Sequence, residues 1–327
     1  MTGARLQTEH ELRQYHTRAA SLLTIAIVAL LLALPISQDV QLVGLVGIVA
    51  LLGVPHGALD HLAGAHLFKP RFGKIWLPVF LAAYLSLSAA VIAVWVRWPL
   101  IGLLGFLAVA VMHFGSEDAH DPAEHVEDGP GVSTRPSWAH HLEVLTRGAL
   151  PIVVPSVAHP SAVGEIFDLL GLLGSGMDGA TLARAIGSLW PVLPLAIAPA
   201  LALAARRAFR HGSIQPFSRL AEIPLLAAAL VSLPPLVGFV VYFVGWHSVR
   251  HTLTWVVRLE PSNPKRGFMR FARLALPLTV ATAMLGALAW TLLPGSMNER
   301  ALQVVFVGLA ALTIPHVMLE VAVESSS

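Results

Sequence analysis

Four apolar runs end on a histidine that is followed, four residues on, by a second polar group. His56 is followed by Asp60, His113 by Glu117, His247 by His251 and His316 by Glu320. Positions i and i+4 share one face of an α-helix, so each pair can address a single interior space. An imidazole that ligates a metal usually hands its other ring N–H to a carboxylate or carbonyl, which fixes tautomer and ring orientation. Asp60, Glu117 and Glu320 stand where such acceptors would be needed. Ionisable groups inside apolar spans are costly and default to function. On that ground the pair in GFVVYFVGWHSVRHTLTW, His247 with His251, reads as metal-binding, and so do His113 and His56. His316 divides between ligand, support of a ligand and a structural role. His61, five residues from His56, points to a different face. His66, His120, His125, His140, His141, His159 and His211 lie in loops or at helix ends and read as solvated.

The chain has 15 histidines, three tyrosines and no cysteine, so any metal must be held by nitrogen and oxygen. Neutral imidazoles without thiolate suit Fe(II), Zn, Cu or Ni alike. Four imidazoles around octahedral iron would leave two positions open, enough for O₂ beside a substrate. Phe106, Phe114, Phe239, Tyr242, Phe243, Trp246 and Trp255 surround the histidines in sequence. Phe114, Phe243 and Trp246 are the candidates for a substrate tunnel, with ordinary helix packing an equally good reading for any one of them.

The elements that carry these groups must be membrane helices. Apolar residues make up 56% of the 327-residue chain and charged residues 12%, about half the charged share of a soluble protein. The apolar run from Ala19 to Ile36 is long enough to cross a ~30 Å hydrocarbon core. Further candidates follow at 40–56, 75–96, 99–115, 148–172, 182–205, 220–233, 235–257, 272–293 and 301–323. The 148–172 run holds Pro151, Pro155 and Pro160 and reads as broken or re-entrant; 220–233 is short and ends at Pro234-Pro235. The expectation is an all-α, polytopic transmembrane bundle of eight to ten spans. A polar N-terminal segment, 1–18, precedes a single membrane domain, 19–327, which is interrupted by an acidic, solvated loop at 116–141.

Basic residues collect at 5–18, at Lys69, Arg71 and Lys74, at Arg206, Arg207, Arg210 and Arg219, and at 258–273. By the positive-inside rule these segments and both termini face the cytoplasm of a cell membrane. With ten spans, the second, fourth, eighth and tenth then deliver His56, His113, the His247/His251 pair and His316 to one depth. The small net charge of +2 and the scatter of its cations argue against a nucleic-acid partner.

At PHGALDH (55–61), HFGSED (113–118), WHSVRH (246–251) and PHVMLE (315–320) the chain resembles the Brp/Blh family of bacterial and archaeal membrane β-carotene 15,15′-dioxygenases. The likeness extends over most of the chain, in motif order and helical layout. It implies a non-haem Fe(II) enzyme that uses O₂ to split the central double bond of β-carotene into two retinal molecules. The family's iron ligands correspond to His56, His113, His247 and His251. The resemblance also implies a retinal consumer downstream, such as a rhodopsin. It marks the N-terminus and the 116–141 insert as local additions.

Two other classes compete. A di-iron lipid desaturase or hydroxylase also uses HxxxH boxes, which HSVRH satisfies, but typically needs an HxxHH box that this chain lacks. A metal or proton transporter would want polar groups at graded depths along a span, whereas these gather at one depth.

Overall fold

A computed structural model describes residues 3–120, 137–172, 176–211 and 221–325. Among these, every regular element is helical. The first helix, α1 (Gly3–Ala33), crosses the expected boundary at residue 18 without a break. Helix α2 (Gln38–Ile48) begins on Ser37, whose hydroxyl caps the N–H of Val40. It continues through a π-helical turn (Val49–Gly53) and a 3₁₀ turn (Val54–Leu59) into α3 (Asp60–Phe72). Gly73, at φ +51°, ends α3 in a conformation that a side chain would resist. Helix α4 (Trp76–Arg97) follows, and Pro99 opens α5 (Pro99–Ala119).

Helix α6 (Ser137–Ala158) and α7 (Pro160–Phe167) meet at a 112° bend, so the expected broken span is broken at His159-Pro160. Then come α8 (Gly179–Gly187), α9 (Val192–His211) and the short α10 (Glu222–Ser232). Helix α11 (Pro235–Tyr242) runs through a third π turn (Phe243–Ser248), the second being Asp168–Leu172, into α12 (Val249–Leu259). Two long helices, α13 (Pro264–Leu292) and α14 (Met297–Glu324), complete the bundle.

Among the described residues, six helical stretches are long and apolar enough to cross a membrane, or seven if the bent pair is one span. Eight to ten were expected, and the difference has physical causes. The runs at 40–56 and 75–96 are joined by helical turns into one 60-residue stretch, Gln38–Arg97. The 220–233 run becomes an 11-residue helix, short of a crossing. In 235–257, the buried His247, Arg250 and His251 dilute the apolar content. Of the expected 116–141 loop, Ser116–Ala119 finish α5 and 137–141 begin α6; residues 121–136 lie outside the described ones. Of the basic segment 206–219, only 206–211 are described, as the end of α9.

The bundle is apolar outside and sets its polar groups within an apolar core. Leu32, Leu51 and Leu292 are 68%, 72% and 75% exposed, amid many other outward aliphatic side chains. Soluble monomers rarely expose apolar surface on this scale, and lipid removes the cost. Buried instead are Glu9, Arg13, Asp60, Asp118, Glu143, Arg147, Glu222, Arg250 and four histidines.

Helix α5 packs closely along α6. A methyl group at Gly115 would stand 1.9 Å from the carbonyl oxygen of Val144, and one at Gly148 would stand 1.8 Å from that of Val111. Each glycine is thus the hollow for the other helix's backbone, the small-residue packing that membrane helices favour.

Candidate metal centre

Of the three π turns among the described residues, those at Val49–Gly53 and Phe243–Ser248 lie beside the histidines they prepare, and the one at Asp168–Leu172 does not. A π turn adds a residue to the helical repeat and is common at functional sites. The first ends at Gly53, whose carbonyl accepts the Nδ1–H of His56. A carbonyl only accepts, so in the neutral ring Nε2 of His56 keeps its lone pair. The one at Phe243–Ser248 contains His247 and sets His251 one turn on, in α12.

Five imidazoles meet at this level. The His56 ring centroid lies 6.5 Å from that of His113, 5.7 Å from His247, 5.5 Å from His251 and 6.0 Å from His316. His113 is 4.9 Å from His247 and 5.0 Å from His316. His56, His113 and His247 each present a ligand atom within 4.8 Å of the others. His251 stands at the rim of this group; its Nε2 accepts the indole N–H of Trp255 at 3.1 Å.

The carboxylates serve these rings, mostly across helices. Asp60 Oδ1 accepts from His316 Nδ1 at 2.7 Å, not from His56. Glu117 Oε2 faces His251 Nδ1 at 3.5 Å, not His113. Glu320 bridges two rings, with Oε2 3.4 Å from His113 Nδ1 and Oε1 3.3 Å from His316 Nε2. Through that bridge His113, His316 and Glu320 also present ligand atoms within 4.8 Å.

Asp118 completes the set and was not singled out from sequence, where it belonged to the acidic insert. Its Oδ1 faces His247 Nδ1 at 3.7 Å and Arg250 at 3.8 Å, while Oδ2 accepts from the Tyr242 hydroxyl at 2.7 Å. Its position directly after Glu117 in HFGSED was the available signal. Arg250 continues to Glu222 at 2.7 Å, and Glu222 to Arg147 at 3.0 Å. Buried charges of both signs are therefore paired, as a low-dielectric interior demands.

Of the three aromatic candidates, two line the centre. Phe114 packs 4.7 Å from the His247 ring, and Phe243 stands edge-on to His56 at 5.6 Å. Trp246 faces away, toward α1, donating its N–H to Thr24 at 3.1 Å. His16 of α1, also unremarked in sequence, lies edge-on to Trp246 and bonds the carbonyl of Gly245 at 2.8 Å.

The donor chemistry fits a metal ion. His113 and His247 turn their Nδ1 atoms toward carboxylates and their Nε2 atoms toward each other, 3.3 Å apart. If each Nδ1 carries its proton toward the acid, two lone pairs face one another, an arrangement that a cation between them relieves. No cysteine is present, so the set is one of imidazoles supported by carboxylates.

An all-helical membrane protein with imidazoles gathered inside its bundle and braced by acids defines a class, that of helical membrane proteins with an internal histidine cluster that could hold a metal. Within it, the chain belongs to the β-carotene 15,15′-dioxygenase family, whose model matches residues 46–323. It is 29% identical over 305 residues to the probable β-carotene 15,15′-dioxygenase Blh of Halobacterium salinarum, covering 90% of this chain and 88% of that one. It is 28% identical over 280 residues to the β-carotene 15,15′-dioxygenase of uncultured marine bacterium 66A03, covering 83% and 90%. No solved structure matches it.

Proposed function

We propose that this protein cleaves the central 15,15′ double bond of β-carotene with O₂ to give two retinal molecules, using one ferrous ion held by His56, His113, His247 and His251. The convergence of buried imidazoles in a lipid-facing bundle carries this reading, together with membership of a family named for that reaction. The equation balances without a reductant: one C=C bond is broken and each carbon gains one oxygen of O₂. Fe(II) would supply the redox activation of O₂ that Zn(II) lacks.

The protein's own residues contribute position and environment. Gly53, Glu320, Asp118 and Glu117 each face a ring Nδ1, which turns the Nε2 lone pairs of His56, His113 and His247 inward. His251 joins the set by releasing Trp255, whose indole then has to move aside. His316 has both ring nitrogens toward carboxylates and is assigned a supporting role. Phe114 and Phe243 wall the centre with apolar surface suited to a polyene. β-Carotene dissolves only in the bilayer, so access from lipid favours its capture. Its repeated C=C units offer no hydrogen-bond handle, so the bond that reacts is chosen by how far the rod slides, and rate comes chiefly from proximity. A retinal-binding rhodopsin is the natural consumer of the product.

The test is expression in a bacterium that makes β-carotene. Orange cells should bleach and yield retinal with no added flavin or reductase, and ¹⁸O₂ should label both aldehydes. Chelation should stop the purified protein, and Fe(II) but not Zn(II) should restore it. Each of the four ligand histidines changed to Ala should lose most activity and bound iron. Unchanged pigment beside folded, iron-loaded protein would refute the carotene assignment and favour a lipid desaturase or hydroxylase.

A further inference from the structure

Helix α1 lies outside the span that the family model matches. Its polar residues nonetheless form one stripe. Glu9 to Arg13, Arg13 to His16 and Thr17, and Thr17 to Thr24 are steps of four, three, four and seven residues, the spacing of a single helix face. The stripe faces inward. Besides His16 on Gly245 and Thr24 on Trp246, Thr17 donates to Glu222 at 3.0 Å. Arg13 makes the most extensive contacts. Its guanidinium donates to Glu117 Oε1 at 3.0 Å and to Thr254 Oγ1 at 2.8 Å, and its Nε lies 3.3 Å from Glu9. The Thr254 hydroxyl in turn donates to Glu9 at 2.8 Å.

These contacts fix both oxygens of Glu117. Oε1 is held by Arg13, which leaves Oε2 facing His251 Nδ1 at 3.5 Å. Thr254 lies three residues after His251 on α12, so Arg13 grips the ring's helix and the ring's acid together. A guanidinium is suited to this because it presents several donors in a rigid fork, whereas an ammonium is a single point of charge.

We propose that Arg13 is a positioning residue of the metal centre, orienting His251 through Glu117, so that α1 completes a site whose ligands all come from other helices. This rests on the assignment of His251 as a ligand.

The test reads metal retention in the full-length purified protein, independently of carotene. Loaded with Fe(II) and challenged with a chelator, Arg13→Gln should release iron about 10- to 100-fold faster than wild type, the usual size of losses from groups behind a ligand. Glu117→Gln should do the same. The double variant should be no worse than Glu117→Gln alone within about twofold, because residues acting through one chain of contacts are not additive. A general loss of packing would instead multiply the two effects, and that result would overturn the proposal, as would an Arg13→Gln protein that keeps iron like wild type. Should Arg13→Gln fail to accumulate, Arg13→Lys carries the test: it keeps the charge but cannot hold Glu117 and Thr254 at once. Faster release supports the proposal and unchanged release defeats it. His251→Ala separates the two readings. If that variant keeps iron, the ligand assignment has failed; if it loses iron while the Arg13 variants do not, only the role of Arg13 has.

Discussion

Asp60 and His316 lie 256 residues apart in sequence, and the carboxylate Oδ1 of one accepts the Nδ1–H of the other at 2.7 Å. Tyr84 donates to the second oxygen of Asp60 at 2.9 Å and to the carbonyl of Leu312 at 3.1 Å, so α3, α4 and α14 are tied at one point. With Glu320 on its other side, His316 offers no nitrogen that is clear of an acid.

His316→Ala should therefore keep one iron per chain while losing stability. A buried acceptor deprived of its partner costs about 1–3 kcal/mol, to be read as a lowered midpoint of thermal denaturation in detergent. Asp60→Asn, whose amide oxygen can still accept, should lose less. An iron-free His316→Ala protein of normal stability would make His316 a ligand instead.

Asp118→Asn should weaken metal retention about 10- to 100-fold, because Asp118 faces the nitrogen of His247 opposite the metal side. The same change leaves Arg250 with Glu222 as its partner, so folding should survive. Chelator competition on the variant provides the measurement, and retention equal to wild type would remove Asp118 from the centre.

Gly115→Ala should separate α5 from α6 and disturb the helix that carries His113, Glu117 and Asp118. Its methyl would collide with the Val144 carbonyl, and overpacking of this kind costs about 1–3 kcal/mol. Gly105→Ala, on the same helix with nothing within 4 Å of the added carbon, is the control and should be neutral or slightly stabilising. Equal melting midpoints for the two variants would show that the close approach is dispensable.

Orientation is open to chemistry because the chain has no native cysteine. Lys69→Cys, exposed at the end of α3, should react with an impermeant maleimide in inverted vesicles and resist it in intact cells. Labelling from outside would reverse the topology drawn from the basic segments.

The histidines were legible because their type is rare within apolar runs and their spacing marks a face. Their partners were not. The i,i+4 rule assigns an acid to its own helix, and it holds only for Glu320 with His316, which the same acid also shares with His113. Between His56 and Asp60 the backbone is 3₁₀ rather than α, which alters the angle between the two side chains, and Asp60 faces His316 on α14 instead. Glu117 was placed correctly in the chain but belongs to His251, a pairing that depends on how α5 and α12 pack. Asp118 was hidden by the charge of the insert that follows it. The α1 stripe was readable in the steps from Glu9 to Thr24, yet the polarity of 1–18 set it apart from the membrane domain.

The Asp60–His316 link also bears on biogenesis. Among the described helices α14 is made after the others, and until it inserts, Asp60 lacks the imidazole of His316 and His113 the acid of Glu320. Chains stalled before Met297 would leave Asp60 with Tyr84 alone and His113 without its carboxylate inside the bilayer, where incompletely satisfied polar groups are costly. His316 and Glu320 thus brace an acid and an imidazole that earlier helices have already brought in, so α14 closes a cluster that the rest of the bundle has begun.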